Sequence, residues 1–382
     1  MPAIQFFTAH NFNAVSWPAH ADGQYARSLL RALLQHGTSA FIDNVSAEVQ
    51  ILQSDDLILP LVLARTGVQN SYVCSPTTHY IDYAKAELEI ELSQHPLLKH
   101  SLKPLIQTLG AAFQPLGFED VVYVNNWLLS TNLYPAFDLT RLESIREALI
   151  QRFPRQAIIF RSVNLMLNRP LYTQLKALGF QPVASRQIYI LDPASGQHRQ
   201  KNPYKEDLRL AKKSAYHWEN AEQIQWRDIP RLRWLYDDLY LRKYSRFNPQ
   251  FNEQFLRSSL EQKWITYYVL KQGDRIDAML GYVQRNGVFT APMVGYDTRL
   301  PQKTGLYRLI TLKLIQEAEK QGWILNHSSG VSRFKTLRGC VPSLEYNMVY
   351  TAHLPAHRQV PWRLLQGISQ HLLEPMVQKL KL

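Results

Sequence analysis

The sequence predicts an α/β (α+β) chain built from two units, and three observations predict it. Stretches of period-two and of helical apolar spacing are interleaved along the length, so strands and helices alternate. Gln272-Gly273-Asp274 and Asn286-Gly287 punctuate a run of apolar segments, and Asn-Gly between such segments is a strong two-residue hairpin signal. Asp192-Pro193-Ala194-Ser195-Gly196 ends an apolar strand and opens onto a basic stretch, a composition break that marks a linker. At 382 residues, and about 150 residues per domain, two or three domains are expected.

The elements follow in order. In the first half, 157–163 reads as a strand, 171–178 as a helix and 183–191 as a strand ending at the Asp192 break. In the second half a helix over 203–214 leads to a short strand at 217–220. Helices over 226–244 and 252–262 come next, then a three-strand meander at 264–270, 276–285 and 288–296. After a polar loop, Leu306, Ile310, Leu314 and Ala318 recur at four-residue spacing and mark an amphipathic helix that stops near Gly322. A strand at 323–326, a short helix at 332–337 and a strand at 344–350 complete the unit. Lys176-Ala177-Leu178-Gly179 and Lys335-Thr336-Leu337-Arg338-Gly339 each precede such a final strand, which suggests a duplicated unit with a lag of about 160 residues. Trp362, Leu365, Ile368 and Leu372 form one face of a terminal helix expected to dock on the domain.

Composition narrows the function classes. Hydrophobic residues at 46% with only 16 Gly and 21 Pro exclude a disordered or collagenous chain. The start, Met1-Pro2-Ala3-Ile4-Gln5, lacks the pattern of a signal peptide. The longest apolar run, 57–64, contains Pro60 and is far short of the roughly 20 residues of a membrane helix, so a soluble, cytoplasmic protein is expected. The net charge of +12 favours anionic partners without choosing among nucleic acid, an acidic carrier, a membrane surface and a phosphorylated cofactor. Arg199, Lys201, Lys205, Arg209, Lys212 and Lys213 face only Glu206 and Asp207 in the same stretch.

Several motifs carry chemistry. Gln302-Lys303-Thr304-Gly305 opens the helix that begins at Leu306, and a Gly-terminated loop there presents unpaired backbone N–H groups and the positive end of the helix dipole to pyrophosphate. Ser328-Ser329-Gly330 lies at a strand end, where open sheets often hold ligands, but lacks the spacing of a nucleophile elbow. His353 and His357 are separated by Pro355 with no third ligand, and no metal is expected. Cys74 and Cys340 fit no zinc or redox spacing, and Cys340 reads as a buried structural thiol.

The order strand, two helices, meander, loop, helix, strand, helix, strand is similar to the GNAT N-acetyltransferase fold, and two such units in tandem resemble the FemABX-type transferases. The residues that carry the resemblance are Met293-Val294-Gly295-Tyr296-Asp297, the loop Gln302 to Gly305, Phe334-Lys335 with the turn to Gly339, and Leu178-Gly179-Phe180. The resemblance implies a GNAT-like domain at 1–192, degenerate and shaping an acceptor cleft. A second, acyltransferase domain follows at 200–352, with a helical extension at 353–382. It implies an N-acyltransferase moving an acyl group from acyl-CoA or an acyl carrier protein to an amine. Val294 and Gly295 would bind the thioester arm, and Gln302, Lys303, Thr304 and Gly305 the pyrophosphate. Tyr307 replaces the small residue usual after such a loop, where it crowds or stacks on pantetheine. Phe334 and Lys335 would lie at the acceptor, with Lys335 stabilising the oxyanion, and Tyr296 or Tyr307 would protonate the leaving thiolate. Two alternatives stay open: a FemABX-type transfer from aminoacyl-tRNA, with the basic stretch tracking phosphates, and a non-catalytic binding protein on a degenerate acetyltransferase fold.

Overall fold

A computed structural model describes residues 4–83, 85 and 96–374. The first half contains β1 (Ile4–Phe7), α1 (Ala21–His36), β2 (Ala47–Ser54), β3 (Leu57–Ala64), α2 (Pro96–Phe113), β4 (Val121–Val124), α3 (Leu142–Arg152), β5 (Ala157–Asn164), α4 (Arg169–Ala177) and β6 (Gln181–Leu191). The second contains α5 (Asn202–Lys213), β7 (His217–Asn220), α6 (Ile229–Asp237), α7 (Glu253–Glu261), β8 (Thr266–Gln272), β9 (Arg275–Arg285), β10 (Val288–Tyr296), α8 (Leu306–Gln321), β11 (Ile324–Asn326), α9 (Ser332–Thr336) and β12 (Val341–Tyr350), before α10 (Ala356–Ile368). The expected elements of the second half fall on these within a few residues. One differs in kind: the helix expected over 226–244 is a 3-10 turn, then α6, then a π-turn at Asp238–Tyr244.

The run 57–64, too short and Pro-interrupted for a membrane helix, is β3. Its Pro60 is tolerated because its carbonyl accepts from Asn126 beyond the end of β4, so the missing N–H lies on that same side, where the β3–β4 ladder, at Leu61 and Val62, has ended. Among the described residues no helix is long and apolar enough to cross a membrane.

The twelve described strands form a single sheet in the order β1-β2-β3-β4-β5-β12-β6-β11-β10-β9-β8-β7. Read from its two edges, the order is the same. β1 and β7 pair antiparallel with β2 and β8, these with β3 and β9, these with β4 and β10, and β4 and β10 pair parallel with β5 and β11. The last strands then cross over: β12 pairs with β5 of the first half, β6 pairs with β11 of the second, and β6 and β12 pair with each other from Gln181–Val349 to Ile190–Val341. The expected duplication is therefore visible as topology, with Gly179 and Gly339 before the exchanged strands both left-handed at φ +89 and +93. The sequence reading gave each unit its own sheet; the exchange fuses them.

Packing follows the sheet. One apolar core underlies both halves, joining Leu30 of α1, Val62 of β3 and Trp127 to Leu232 of α6, Phe255 of α7, Met279 and Met293. On the opposite face each half has its own core, under α3 and α4 at Leu149 and Leu175, and under α5 and α8 at Tyr204, Leu309 and Ile315. Trp362 and Leu365 of α10 are buried as expected, with Trp362 packing on Phe118 at 4.7 Å. Residues 375–382 of the expected extension, and the side chain of Leu372, lie outside what is described. Polar ties cross between halves as well: Asn44 donates to the carbonyls of Arg246 and Asn248, and Arg285 pairs with Asp22 at 2.9 Å while donating to the Leu133 carbonyl.

The exchange has a testable consequence. Fragments 1–200 and 201–382, produced separately, each lack the strand that closes their sheet and leave β5 or β11 with an open edge. Each is expected to lack a cooperative urea transition, and circular dichroism is expected to show structure recovered on mixing. A cooperative transition in either fragment alone would contradict this.

Candidate functional site

The site begins with a defect in sheet pairing. β10 and β11 pair parallel only over Val288–Thr290 and Ile324–Asn326. β10 then shifts register against β9 between Thr290 and Met293, a bulge at Ala291-Pro292 that turns the strand away from its neighbour. Beyond Thr290, β10 has β9 on one side and no strand on the other. A cavity of about 300 Å³ opens in this gap, lined by Ala291 and Val294 of β10, Tyr307, Ile310 and Thr311 of α8, and the loop after β11. The π-turn adds Tyr240 and Tyr244, and the first half adds Tyr72, Tyr83, Ser130 and Arg186.

The start of α8 meets the cavity at Tyr307. Gln302–Thr304 form a 3-10 turn that Gly305 closes in the left-handed region at φ +74. The bond from Leu309 N–H to the Gly305 carbonyl opens the helix, leaving the N–H groups of Leu306, Tyr307 and Arg308 without intrahelical acceptors. A Cβ at Gly305 would lie 2.5 Å from Leu210 of α5, so glycine also lets α5 approach. Buried Asp207 of α5 fixes the surroundings, accepting from Arg308 at 2.6 Å and from Arg338 at 2.6 and 3.1 Å. Gln302, Lys303, Arg209, Lys212 and Lys213 are exposed around this loop and along α5.

Lys335, on α9, is 2% exposed and lines the cavity. Its Nζ donates to the carbonyls of His327, Ser328 and Ser329 at 2.7, 3.2 and 2.7 Å. That loop is conformationally costly, because Ser328, Gly330 and Val331 all have positive φ, of order 1–3 kcal/mol for each non-glycine residue. The ammonium therefore holds a strained turn in place. Burial pushes its pKa down to about 7, and the charge of Arg186 acts the same way. His327 is half-buried beside it, its pKa lowered to about 3 by desolvation and then by Lys335, and its Nε2 has no hydrogen-bond partner among the described residues. Thr311 Oγ1 in the same wall is also unpartnered. Both residues line the cavity.

The remaining expected residues form a chain rather than a lining. Tyr296, Tyr307 and Phe334 stack in sequence at 5.9 and 4.8 Å, and the Arg338 guanidinium caps Phe334 at 3.5 Å. Tyr296 and Phe334 reach the cavity only through Tyr307. Tyr296 accepts a hydrogen bond from Lys243 at 3.1 Å, while burial holds the Tyr307 phenol well above its ordinary pKa. Gly295 has a packing reason: a Cβ there would lie 2.6 Å from the Leu235 backbone of α6. Thus Val294, Tyr307 and Lys335 line one cavity, Gln302 to Gly305 shape the helix start beside it, and Gly295 seats a helix. Cys340 and Cys74 are buried thiols pushed up to about 12 by burial. His353 stacks on Tyr350 and contacts the Gln156 carbonyl. Among the described residues no group of three His, Cys, Asp or Glu is placed to hold a metal.

Sequence reasoning missed Arg186, His327, Thr311 and four cavity tyrosines, Tyr72, Tyr83, Tyr240 and Tyr244. Arg186 sits on β6, its Nε 2.9 Å from Glu345 Oε1 on β12 and its Nη2 on the Ser130 carbonyl and Thr131 Oγ1. The exchange of strands makes this pair.

Lys335 sets a pH dependence of stability. Its folded pKa near 7 lies below the ordinary 10.5, so between these values the unfolded chain holds the extra proton and stability rises with pH, by up to about 1.4 kcal/mol per unit. Urea unfolding of wild type and Lys335→Met from pH 6 to 10 is expected to show wild type gaining on the variant as pH rises. A pH-independent difference would contradict the assignment.

Comparisons with known proteins agree with this geometry. Residues 224–336 match the family model described as an acetyltransferase (GNAT) domain. No curated protein matches the sequence. Among solved structures the chain is similar to the crystal structure of FemX, at 8% identity over 90% of this chain and 93% of that one, with a TM-score of 0.51. It is similar to a conserved protein of unknown function from Bacteroides thetaiotaomicron, at 12% identity over 91% and 99%, with a TM-score of 0.50. A tandem GNAT protein from the clavulanic acid biosynthesis pathway aligns over 93% and 100% at 9% identity, with a TM-score of 0.42. Residues 224–336 thus match a GNAT acetyltransferase domain model, and the chain as a whole shares the fold of the FemX structure.

Proposed function

We propose that the protein is an N-acyltransferase that moves an acyl group from acyl-coenzyme A to an amine at the cavity of the second half. The observation that carries this reading is the gap between β10 and β11, which opens onto the uncapped start of α8. A thioester arm lying along the free edge of β10 would meet backbone groups of Met293 to Tyr296, while the N–H groups of Leu306 to Arg308 face the pyrophosphate. Thr311 and His327 line the same cavity beside these groups.

The chemistry needs alignment more than covalent help. A neutral amine attacks the thioester carbonyl, the C–N bond forms as the C–S bond breaks, and the amine proton ends on the departing thiolate. The Lys335 ammonium has all three N–H groups occupied by carbonyls. This favours a positioning role, holding the His327–Ser329 backbone and placing positive charge behind the oxyanion, over direct donation. Tyr307, kept protonated by burial, faces the same space and would hydrogen-bond the thiolate.

The two halves differ in ways that favour one donor site. Counting one repeat back from Gly339 to Gly179, the position of Lys335 is taken by Leu175, fully buried in an apolar core. Before α3, the Asp138 carboxylate already accepts from the Thr140 N–H, putting negative charge where the second half leaves its helix start open. The first unit, 1–192 in the sequence reading, would then serve as the acceptor wall, with chemistry in 200–352.

Coenzyme A and acetyl-coenzyme A are expected to raise the melting temperature by mass action. Lys303→Glu, at an exposed site that leaves Leu210 and Gly305 undisturbed, is expected to shrink that rise without changing the unliganded melting temperature. Unchanged melting with both ligands would overturn the donor assignment.

A second donor is favoured by one observation: exposed Arg209, Lys212 and Lys213 lie on α5, the helix that packs on Gly305. If the acyl group arrives as aminoacyl-tRNA, binding is expected to fall steeply with salt and with a Lys212→Glu, Lys213→Glu pair. Absence of tRNA binding at low salt in a filter assay removes this reading.

A further inference from the structure

The wall of the cavity opposite α8, together with the layer behind it, carries more buried positive charge than the protein neutralises: Arg186 and Lys335 line the cavity, and Arg161 lies against the Tyr72 ring behind it. Arg161 is 3% exposed. Its Nη1 is spent on the Leu129 carbonyl and Asn126, at 2.8 and 3.4 Å. Arg186 holds Glu345, Ser130 and Thr131 through Nε and Nη2, but its Nη1 has no hydrogen-bond partner among the described residues, and the side chain, 13% exposed, lines the cavity. Lys335 adds a third cation. Against these three stands Glu345, the carboxylate whose field acts on both guanidiniums. Neighbouring His79 and His327 are held neutral by burial and by these cations. Leaving two buried charges without counterions is costly.

We propose that the cavity binds an acceptor whose amine and carboxylate belong to one small molecule, an amino acid or a close analogue, with the carboxylate on Arg186 Nη1. The proposal rests on the acyltransferase reading and names its acceptor class. Arg186 reaches the cavity from β6 and lies beside Ser130 and Tyr72 of the first half, away from the edge of β10 and the start of α8 where the donor would lie. A carboxylate anchored there leaves the amine of the same molecule in the middle of the cavity, between the ring walls of Tyr72, Tyr240 and Tyr244. The transfer balances simply: the amine loses one proton and gains the acyl carbon, and the thiolate takes the proton. The product keeps its carboxylate and loses its basic nitrogen.

The same chemistry could come from a dicarboxylic acyl group on the donor, and the test separates the two. Wild-type protein without coenzyme A is titrated calorimetrically with each common L-amino acid, its carboxamide and its decarboxylated amine. At least one amino acid is expected to bind about tenfold or more tightly than its partners that lack the carboxylate, the size of a charged hydrogen bond. Arg186→Met is expected to abolish that preference. Because this variant leaves Glu345 buried alone, an Arg186→Met, Glu345→Gln pair, which removes both charges, is measured beside it. Acids and amides binding alike, or no amino acid binding, overturns the proposal. Succinyl-coenzyme A stabilising the protein far more than acetyl-coenzyme A, with no amino acid bound, assigns the carboxylate to the acyl group instead. Amino-acid binding without any effect of coenzyme A would leave this site standing and sink the donor reading alone.

Discussion

Because β6 and β12 pair with each other and each with the strand the other half leaves open, neither half closes its sheet alone, and everything near the seam is made by both. β5 is buried along its whole length only because β12 covers its edge. The gap between β10 and β11 keeps a fixed floor because β6 braces β11 through Leu325–Leu191 and Asn326–Ile190. The turn after β11 is tied to the same strand, with the Tyr189 N–H donating to the Ser328 carbonyl and the His327 N–H donating to the Tyr189 carbonyl. A cavity floored by an exchanged strand cannot relax by sliding one half against the other without breaking the ladder.

Within that frame the site is held by charge. The left-handed residues Ser328, Gly330 and Val331 make a turn that the backbone alone would not favour. Three carbonyls converging on one ammonium supply the compensation, and the same ammonium depresses the pKa of His327. Deprotonation of Lys335 would leave an amine with two donors for three carbonyls, so the geometry of the turn and the charge in the cavity change together near neutral pH. Loop shape and site electrostatics are one variable here.

Much of the second half was legible because its signals are local. Asn286-Gly287 fixes a hairpin, the four-residue spacing from Leu306 to Ala318 fixes a helix face, and Gln302 to Gly305 announces an open helix start; each needs only its neighbours in sequence. The exchange was not legible, since β12 has the same apolar alternation whether it pairs with its own half or the other. Arg186 was invisible for the same reason. It reads as one polar residue in a strand, and its partner Glu345 lies 159 residues away. The π-turn at Asp238–Tyr244 carries helical spacing and so reads as more helix, yet its wider turn is what brings Tyr240 and Tyr244 to the cavity. Gly295 has a reason the motif does not show: it is also the contact point of α6.

The duplication also sets equivalent positions of the two halves to different use. The exchanged strands occupy equivalent places, but the residue one repeat beyond Arg186 is Tyr346, buried in the first-half core against Tyr172. The ring of Tyr346 lies against an apolar core, where the Arg186 guanidinium faces the cavity of the second half and is held there by the exchanged partner's Glu345. Fusion of two like units thus lets side chains of one become walls of a cavity in the other. The first half contributes Ser130, Tyr72, Tyr83 and, through β6, Arg186 to a cavity whose helix start, strand edge and lysine all come from the second. Asymmetry at the seam is what the duplication adds to this cavity.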